Sequence, residues 1–457
     1  MKITLIKPTI GTKSHSLYVD EGRMEPLQLG VIAALIPADI EVVMYDDRME
    51  KIPYDEPTDA VMITVETFTA KRAYEIGNEF MKRNIPVIMG GMHAKLATGE
   101  MMEHCDCTIS GDAENSISQV VEDLKKGILQ KLYTCDVANL PQKNCLTRRD
   151  IFEGKGYLPI SLMQFSRGCV HACTYCASSV YFSRHHYHRV IEDVVAEIKS
   201  QKRKFIFFVD DNLIADVEAA KTLFRALIPL KINWVSQGTV SMVYDSELMD
   251  LIIKSGGMGF VIGFESINPA SIDLMNKGIN KEHGFNKYKE EVALLRKWGL
   301  QTWAAFTIGH DTDTIDSIKQ TVDWAIKNKF TFAAFNILMP YPKTPLYHKL
   351  QAEGRLLYDE KWWLHNEYRF NYAAFTPKNM TPDQLTEVAY YCRKKFNSLP
   401  AVLYRMFDTR TNMRTFKKLL TYWLYNPLFR REVHKKQGLQ FGLKHFDEGK
   451  TSVEGDG

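Results

Sequence analysis

Ser166-Arg167-Gly168-Cys169-Val170-His171-Ala172-Cys173-Thr174-Tyr175-Cys176 places three thiols on one short stretch, with three and then two residues between them. Thiolates at this spacing can wrap a single loop around one face of a cubane iron–sulfur cluster. Four cysteines would close such a cluster and leave it an electron carrier; three leave one iron open to an outside molecule. An open iron in a chain of 457 residues points to catalysis. Cysteine sulfur is also a zinc ligand, so a structural zinc knot is the alternative. Its fourth ligand would come from His171, His185, His186 or His188.

Working outward, apolar strand patterns recur downstream at residues 162–166, 204–209, 233–238, 259–264, 302–308 and 332–339. Helical patterns separate them, among them 190–202, 217–227 and 246–254. Six strand–helix repeats predict a parallel sheet, with functional residues at the carboxyl ends of its strands. Polar groups gather at those ends. They are Asp210-Asp211-Asn212, Gln237, Glu265-Ser266 and Gly309-His310-Asp311-Thr312-Asp313-Thr314. The segment Met339-Pro340-Tyr341-Pro342-Lys343-Thr344-Pro345-Leu346-Tyr347 follows the sixth strand.

Upstream, a second alternating block has strands at 3–8, 40–45, 60–64, 86–89 and 107–110, with helices such as 70–83 and 116–126. It too predicts a parallel sheet covered on both faces, with ligands at the strand ends. Those ends carry Lys7-Pro8-Thr9, Asp46-Asp47-Arg48, Thr64-Val65-Glu66-Thr67, Gly90-Gly91-Met92-His93 and Gly111-Asp112-Ala113-Glu114. Glycines there would let the backbone approach a ligand closely. The absence of G-x-G-x-x-G after the first strand argues against a dinucleotide site.

Apolar residues make up 45% and charged residues 25% of the chain, the profile of a soluble globular protein. No apolar run approaches the length of a membrane span, and the N-terminus reads as a strand rather than a signal peptide. Eight cysteines in so long a chain are not a disulfide scaffold. Cys105, Cys107, Cys135, Cys145 and Cys392 read as reduced thiols of a cytoplasmic protein. A net charge of +3 does not call for a nucleic-acid partner. From Arg405 to Phe446, ten Lys or Arg stand against Asp408 and Glu432, interleaved with aromatics. The simpler reading is a basic face packed on the preceding domain through its aromatic side. The alternative is peripheral contact with the inner face of a membrane.

The cysteine spacing, with an aromatic just before the last cysteine, resembles the signature of the radical S-adenosylmethionine (SAM) superfamily. The resemblance implies that Cys169, Cys173 and Cys176 hold a [4Fe-4S] cluster whose open iron chelates SAM. One electron, from an external reductant such as flavodoxin or ferredoxin, then yields an adenosyl radical that abstracts hydrogen from an unactivated carbon. It also implies a partial (β/α)6 barrel, with Asp211, Gln237, Glu265 and Ser266 around SAM. The Gly309–Thr314 segment stands where the commoner family motif is G-L-P-G-E-T. Tyr175, His310 and Tyr341 are pocket candidates for a catalytic role.

The stretch before the barrel resembles the cobalamin-binding domain of the cobalamin-dependent radical SAM class, which includes hopanoid methylases. The matching pieces are Glu25-Pro26-Leu27-Gln28-Leu29-Gly30-Val31-Ile32-Ala33-Ala34-Leu35, Gly90-Gly91-Met92-His93-Ala94 and Gly111-Asp112-Ala113-Glu114. The implied pocket residues are Thr9, Asp46, Glu66, Gly90, Gly91, His93, Gly111 and Glu114. The D-x-H-x-x-G motif of other corrinoid proteins is absent, and His15 lacks its Asp and Gly. Cobalamin is therefore expected without an axial histidine.

The expected fold class is α/β. A Rossmann-like, flavodoxin-like domain (1–130) and a linker (131–160) precede a radical SAM partial barrel (161–346). A helical, aromatic-rich C-terminal lid and basic tail (347–457) follows, shaping a pocket for a small-molecule or lipid-like substrate. The expected activity is methyl transfer to an unactivated carbon. Cyclisation or rearrangement with the same cofactors is the alternative, and a zinc-stabilised binding protein the third reading.

Overall fold

Near-continuous apolar runs such as Ile3-Thr4-Leu5-Ile6 and Ala60-Val61-Met62-Ile63 can only be strands buried on both faces, and they are almost wholly shielded from solvent. The computed structural model describes residues 1–13, 16–17, 23–135, 145–275 and 278–443. His15 lies outside the described residues. The chain divides into two compact units. The first comprises Met1–Leu158, Tyr358–Phe370 and Gly438–Gly457; the second comprises Pro159–Leu357 and Asn371–Gln437.

In the first unit, β1 (Lys2–Lys7), β2 (Glu41–Asp46), β3 (Ala60–Thr64), β4 (Val87–Gly90), β5 (Cys107–Ser110) and β6 (Leu132–Thr134) form one parallel sheet. The strand order is β2-β1-β3-β4-β5-β6. Helices α1 (Leu27–Leu35), α2 (Ala70–Met81) and α3 (Ile117–Lys126) connect strands as the apolar periodicity predicts. Gly127, at φ 70°, ends α3 in the left-handed conformation that favours glycine. The order reverses between β1 and β3, and that switch point is where sheets of this type open a crevice for a ligand.

Two segments depart from the expected boundaries. Residues 131–160, read as a linker, contribute β6 to the sheet. They also place Phe152 in the core and the Tyr157 hydroxyl on Asp46 at 2.8 Å. Isolated aromatic anchors leave no periodic signature, so the sequence pattern misses them. The C-terminal region, expected as one lid over 347–457, is shared between the units. Trp362, Trp363 and Tyr368 are buried in the first unit, where Phe68 meets Trp362 at 5.1 Å and Phe370 at 5.3 Å. Gln440–Phe441 pairs with Gly11–Lys13, and Phe441 lies against Tyr368 at 5.1 Å.

The second unit holds β7 (Ser161–Met163), β8 (Phe205–Phe208), β9 (Asn233–Gly238), β10 (Gly257–Glu265), β11 (Gln301–Ile308) and β12 (Phe332–Ile337). All pair in parallel, each with the next, and the order runs from β7 to β12 without reversal. Strands in strictly sequential order, each followed by a helix, curl into an open barrel with all carboxyl ends on one rim. The helices include α4 (Ile191–Ser200), α5 (Val217–Leu227), α6 (Ser246–Lys254), α7 (Gly278–Trp298) and α8 (Ile315–Lys327). Trp234 anchors the core between Phe208, Phe224 and Phe260.

Helices of the C-terminal region complete this unit, among them α9 (Pro382–Phe396) and α10 (Phe416–Lys436). Thr381 and Gln384 form a capping box at the start of α9, as Thr-Pro-Asp-Gln predicts. Tyr422 of α10 is buried, and Phe429 packs on Trp303 and Phe332, so the side of this helix that carries these two rings faces the barrel. Buried Arg405 donates to the carbonyls of Phe330, Thr331 and Phe396, its head group stacked over the Phe396 ring.

Candidate active site at the barrel rim

The expected strand 162–166 divides, and that division builds the cysteine loop. The chain leaves the sheet after Met163, and Ser166–Gly168 pairs antiparallel with His186–His188. This short hairpin closes the base of the loop that carries Cys169, Cys173 and Cys176. Gly168 has φ 82°, and a Cβ there would lie 2.1 Å from the His185 carbonyl oxygen, so the hairpin requires glycine at this position.

The two adjacent aspartates after β8 hold the loop from below. Asp210, fully buried, accepts from the Ser166 backbone N–H, from the Ser166 hydroxyl at 2.5 Å and from the Phe165 N–H at 3.3 Å. Burial, against these donors, pushes its carboxyl up to about 7. Asp211 accepts from the Gly168 N–H at 2.9 Å and from the Ser178 hydroxyl at 2.6 Å. It thus ties together the residues flanking the three cysteines, and here both its oxygens serve the loop rather than a ligand. Further along, the Thr174 N–H reaches the Met275 carbonyl, and the Thr174 carbonyl receives the Leu346 N–H at 2.9 Å.

Cys173 is buried, Cys169 and Cys176 are partly exposed, and none is in a disulfide. Among the described residues no three His, Cys, Asp or Glu side chains converge as the ligands of one ion would. His188 is stacked on Phe165, and His186 belongs to the hairpin strand. A zinc knot, which draws four donors to within about 2.0–2.3 Å of one ion, does not fit this arrangement. Three thiolates on one loop, each for a different iron, would be the donor set of a cubane with one iron left open.

Around the loop, the rim supplies few polar groups in a largely apolar setting. A β-bulge between Gly263 and Glu265 ends β10, and Glu265 takes φ 66°, a left-handed conformation costly for a non-glycine residue. The bulge presents its nearly buried carboxylate to the Tyr175 hydroxyl, which donates to it. Burial, then the charges of Glu265, Cys173 and Cys176, push the Tyr175 phenol well above its ordinary value, so it keeps its proton. His310, buried at the end of β11, has Nε2 3.0 Å from the Thr307 hydroxyl. Burial depresses its imidazole against the opposing charges of Asp313 and Glu265, which favours the neutral ring. Tyr175 and His310 line one cavity of about 210 Å³, whose other walls include Leu274, Met275, Leu338 and Phe375.

The remaining predicted rim residues divide. Ser266 accepts from the Asn268 N–H and so shapes the turn after β10. Gln237 is partly buried at the end of β9, and Tyr341 lies outside the cavity walls. Sequence reading missed Thr307 and Ser178, which orient His310 and Asp211. Asp313, within the polar segment expected after β11, caps the Gly309 and His310 N–H groups. A lone hydroxyl, whether Thr307 in a strand or Ser178 in the short helix Ala177–Tyr181, carries no spacing signature.

In the first unit, the switch point brings Lys7 and Glu66 together at 2.7 Å, and this neighbouring ammonium holds the Glu66 carboxyl below its usual range. Thr9, in the loop after β1, is buried, its hydroxyl without a hydrogen-bond partner among the described residues, as a residue facing a ligand would be. Asp46 is committed elsewhere: Arg48 clamps both its oxygens and Tyr157 donates to it. Glu114 lies in the short turn after β5. His93, expected to line the pocket, is fully buried, with Nδ1 3.2 Å from the Thr67 hydroxyl and Nε2 3.2 Å from Glu100. Both ring nitrogens are thus engaged within the protein. Gly91 and Gly111 at φ 109° approach backbone rather than ligand; a Cβ would strike the Val65 and Cys135 carbonyl oxygens. Gly90 has ordinary space around it.

Residues 163–325 match the family model described as the radical SAM superfamily. Bacteriochlorophyllide d C-12(1)-methyltransferase of Chlorobaculum tepidum is 27% identical over 449 residues, covering 95% of this chain and 94% of the relative. The C-8(2)-methyltransferase of the same organism is 26% identical, covering 89% and 90%. Among solved structures, the radical SAM methyltransferase TsrM from Kitasatospora setae, with cobalamin and a [4Fe-4S] cluster bound, superposes with TM-score 0.60. Sequence identity there is 17%, with 77% of this chain and 75% of that one covered, a likeness of fold.

Proposed function

We propose, on the premise that this chain carries a radical SAM domain, that it is a cobalamin-dependent radical SAM methyltransferase. Its substrate would present an unactivated carbon on a small or lipid-like molecule. The observation that carries the reading is the three-cysteine loop, clamped by its hairpin and by Asp210 and Asp211 at the carboxyl rim of an open barrel. Cys169, Cys173 and Cys176 would hold the [4Fe-4S] cluster, with SAM beside Glu265 and Gln237. Cobalamin would lie at the switch point near Thr9 and Glu66. When bound, these groups supply one-electron cleavage of a sulfonium and a transferable methyl group.

The chain's own residues do the rest. Asp211 fixes both flanks of the cysteine loop, so that a cluster held by the three cysteines would be presented in one orientation. Tyr175 holds its proton on the oxygen that meets Glu265, and His310 stays neutral beside Thr307. Neither adds a charge that would draw water into the cavity. Leu274, Met275, Leu338 and Phe375 give the cavity an apolar side, with the paired Asp311 and Lys349 at its charged edge, and that apolar side limits water near reactive species. Electrons come from an external reductant such as flavodoxin or ferredoxin. Peripheral contact of the C-terminal region with the inner face of a membrane is a separate part of the proposal, independent of the catalytic one.

The test is an anaerobic assay with SAM, reductant and cobalamin. Wild-type protein forms 5′-deoxyadenosine, and Cys173→Ala forms none above background. A product heavier by one methylene unit marks methylation; a product of unchanged mass marks rearrangement. Formation of 5′-deoxyadenosine by Cys173→Ala at the wild-type rate would overturn the assignment.

A further inference from the structure

A helix that packs on a domain ordinarily hides one apolar stripe and turns polar side chains outward. Helix α10 breaks that rule. Its inward face buries Tyr422 and Asn426, yet Phe416, Leu420, Trp423 and Leu424 recur at i, i+4, i+7 and i+8 on the opposite face, all exposed. Phe416 is 78% exposed, and Phe407, in the loop before the helix, is 61% exposed. Large apolar side chains gathered in one exposed patch mark a surface that meets something apolar.

The same loop carries the second observation. Thr409, Arg410 and Arg414 line an open cleft of about 660 Å³ together with Arg296 and Lys297 from the last turn of α7. Four cations stand there against Glu290 on the wall and Asp408, which pairs with Arg296 at 3.0 Å. The cleft lies where α7 turns into the amino end of β11, at the end of the barrel opposite the cysteine loop. It is therefore no part of the rim chemistry. Cations in a cleft between exposed Phe407 and Phe416 form a surface with a charge and an apolar edge side by side.

We propose that this face docks the protein on an anionic phospholipid surface, with Phe416, Leu420, Trp423 and Leu424 entering the headgroup boundary. Arg296, Lys297, Arg410 and Arg414 receive lipid phosphates. A soluble acidic protein would answer the cations but leave the apolar stripe wet; a second copy of this chain would meet the cations with cations. A bilayer of anionic lipid answers both. The surface lies at the end of the barrel opposite the cysteine loop, so its test stands or falls separately from the catalytic reading.

The experiment is co-sedimentation of the anaerobically prepared full-length protein with vesicles. One set is pure phosphatidylcholine, the other equal parts phosphatidylcholine and phosphatidylglycerol. The protein pellets with the anionic vesicles and is released by high salt. Arg410→Glu with Arg414→Glu weakens that binding about tenfold or more. Phe416→Ser with Trp423→Ser does likewise, and both variants keep the wild-type thermal midpoint and 5′-deoxyadenosine production. Equal pelleting with both vesicle types, or unchanged binding by either folded variant, overturns the proposal. So does vesicle-free self-association that the Phe416→Ser, Trp423→Ser variant abolishes, since a second copy would then cover the patch.

Discussion

Glu100 shows how much one side chain can organise. It receives hydrogen bonds from Tyr74, from Trp363 at 2.9 Å and from the His93 ring, and it pairs with Lys361 at 3.2 Å. Burial works against its charge, yet the hydrogen bonds of His93 and Trp363 and the charges of His93 and Lys361 hold its carboxyl at about 2. A carboxyl depressed from an ordinary 4.5 contributes stability that is complete above pH 4.5. That contribution is lost as the pH falls toward 2. Glu100→Gln is expected to lower stability at neutral pH by about 2 kcal/mol and to flatten the acid limb of the stability curve. Urea unfolding between pH 5 and 2.5 reads this out, and an unchanged acid limb in the variant would contradict it. None of this was legible in the sequence. His93 stands at a strand end after two glycines, where ligands gather, and only the fold shows both its nitrogens already engaged.

The hairpin of Ser166–Gly168 with His186–His188 is the element on which the chemistry depends. Its sequence reads as the end of a strand, because Met163 through Ser166 continue an apolar alternation. The break comes from Asp210, forty-four residues away from Ser166, which takes the N–H groups of Phe165 and Ser166. A long-range acceptor of this kind has no local signal. Gly168→Ala puts a methyl group against the His185 carbonyl at a left-handed φ, costing about 1–3 kcal/mol of strain before any clash. The expected result is a folded protein whose iron and sulfide content after anaerobic reconstitution falls severalfold. Circular dichroism checks the fold and metal analysis the loading. Full loading of the variant would show that the hairpin does not set the loop.

Over the whole molecule, chain order and unit membership diverge. The first unit recruits Tyr358–Phe370 and the segment from Gly438 onward, far along the chain from its sheet. Leu439 and Phe441 are buried there, so truncation after Gln437 is expected to destabilise the first unit by about 4 kcal/mol or more. Calorimetry and limited proteolysis would show a first transition at lower temperature and early cleavage within residues 1–130; an unaltered first transition would refute this. The sequence by itself determined the two parallel sheets, the three-cysteine loop and the polar strand ends, because apolar period and cysteine spacing are local properties of a chain. Only the tertiary structure decided that Asp46, Asp211 and His93 are already bonded within the protein, while Thr9 has a hydroxyl to offer. It also decided that Trp362 and Trp363 are buried in the first unit, and that α10 turns a second apolar stripe to solvent. Each of these depends on what a side chain meets across a long stretch of chain, and spacing along the chain does not encode that meeting.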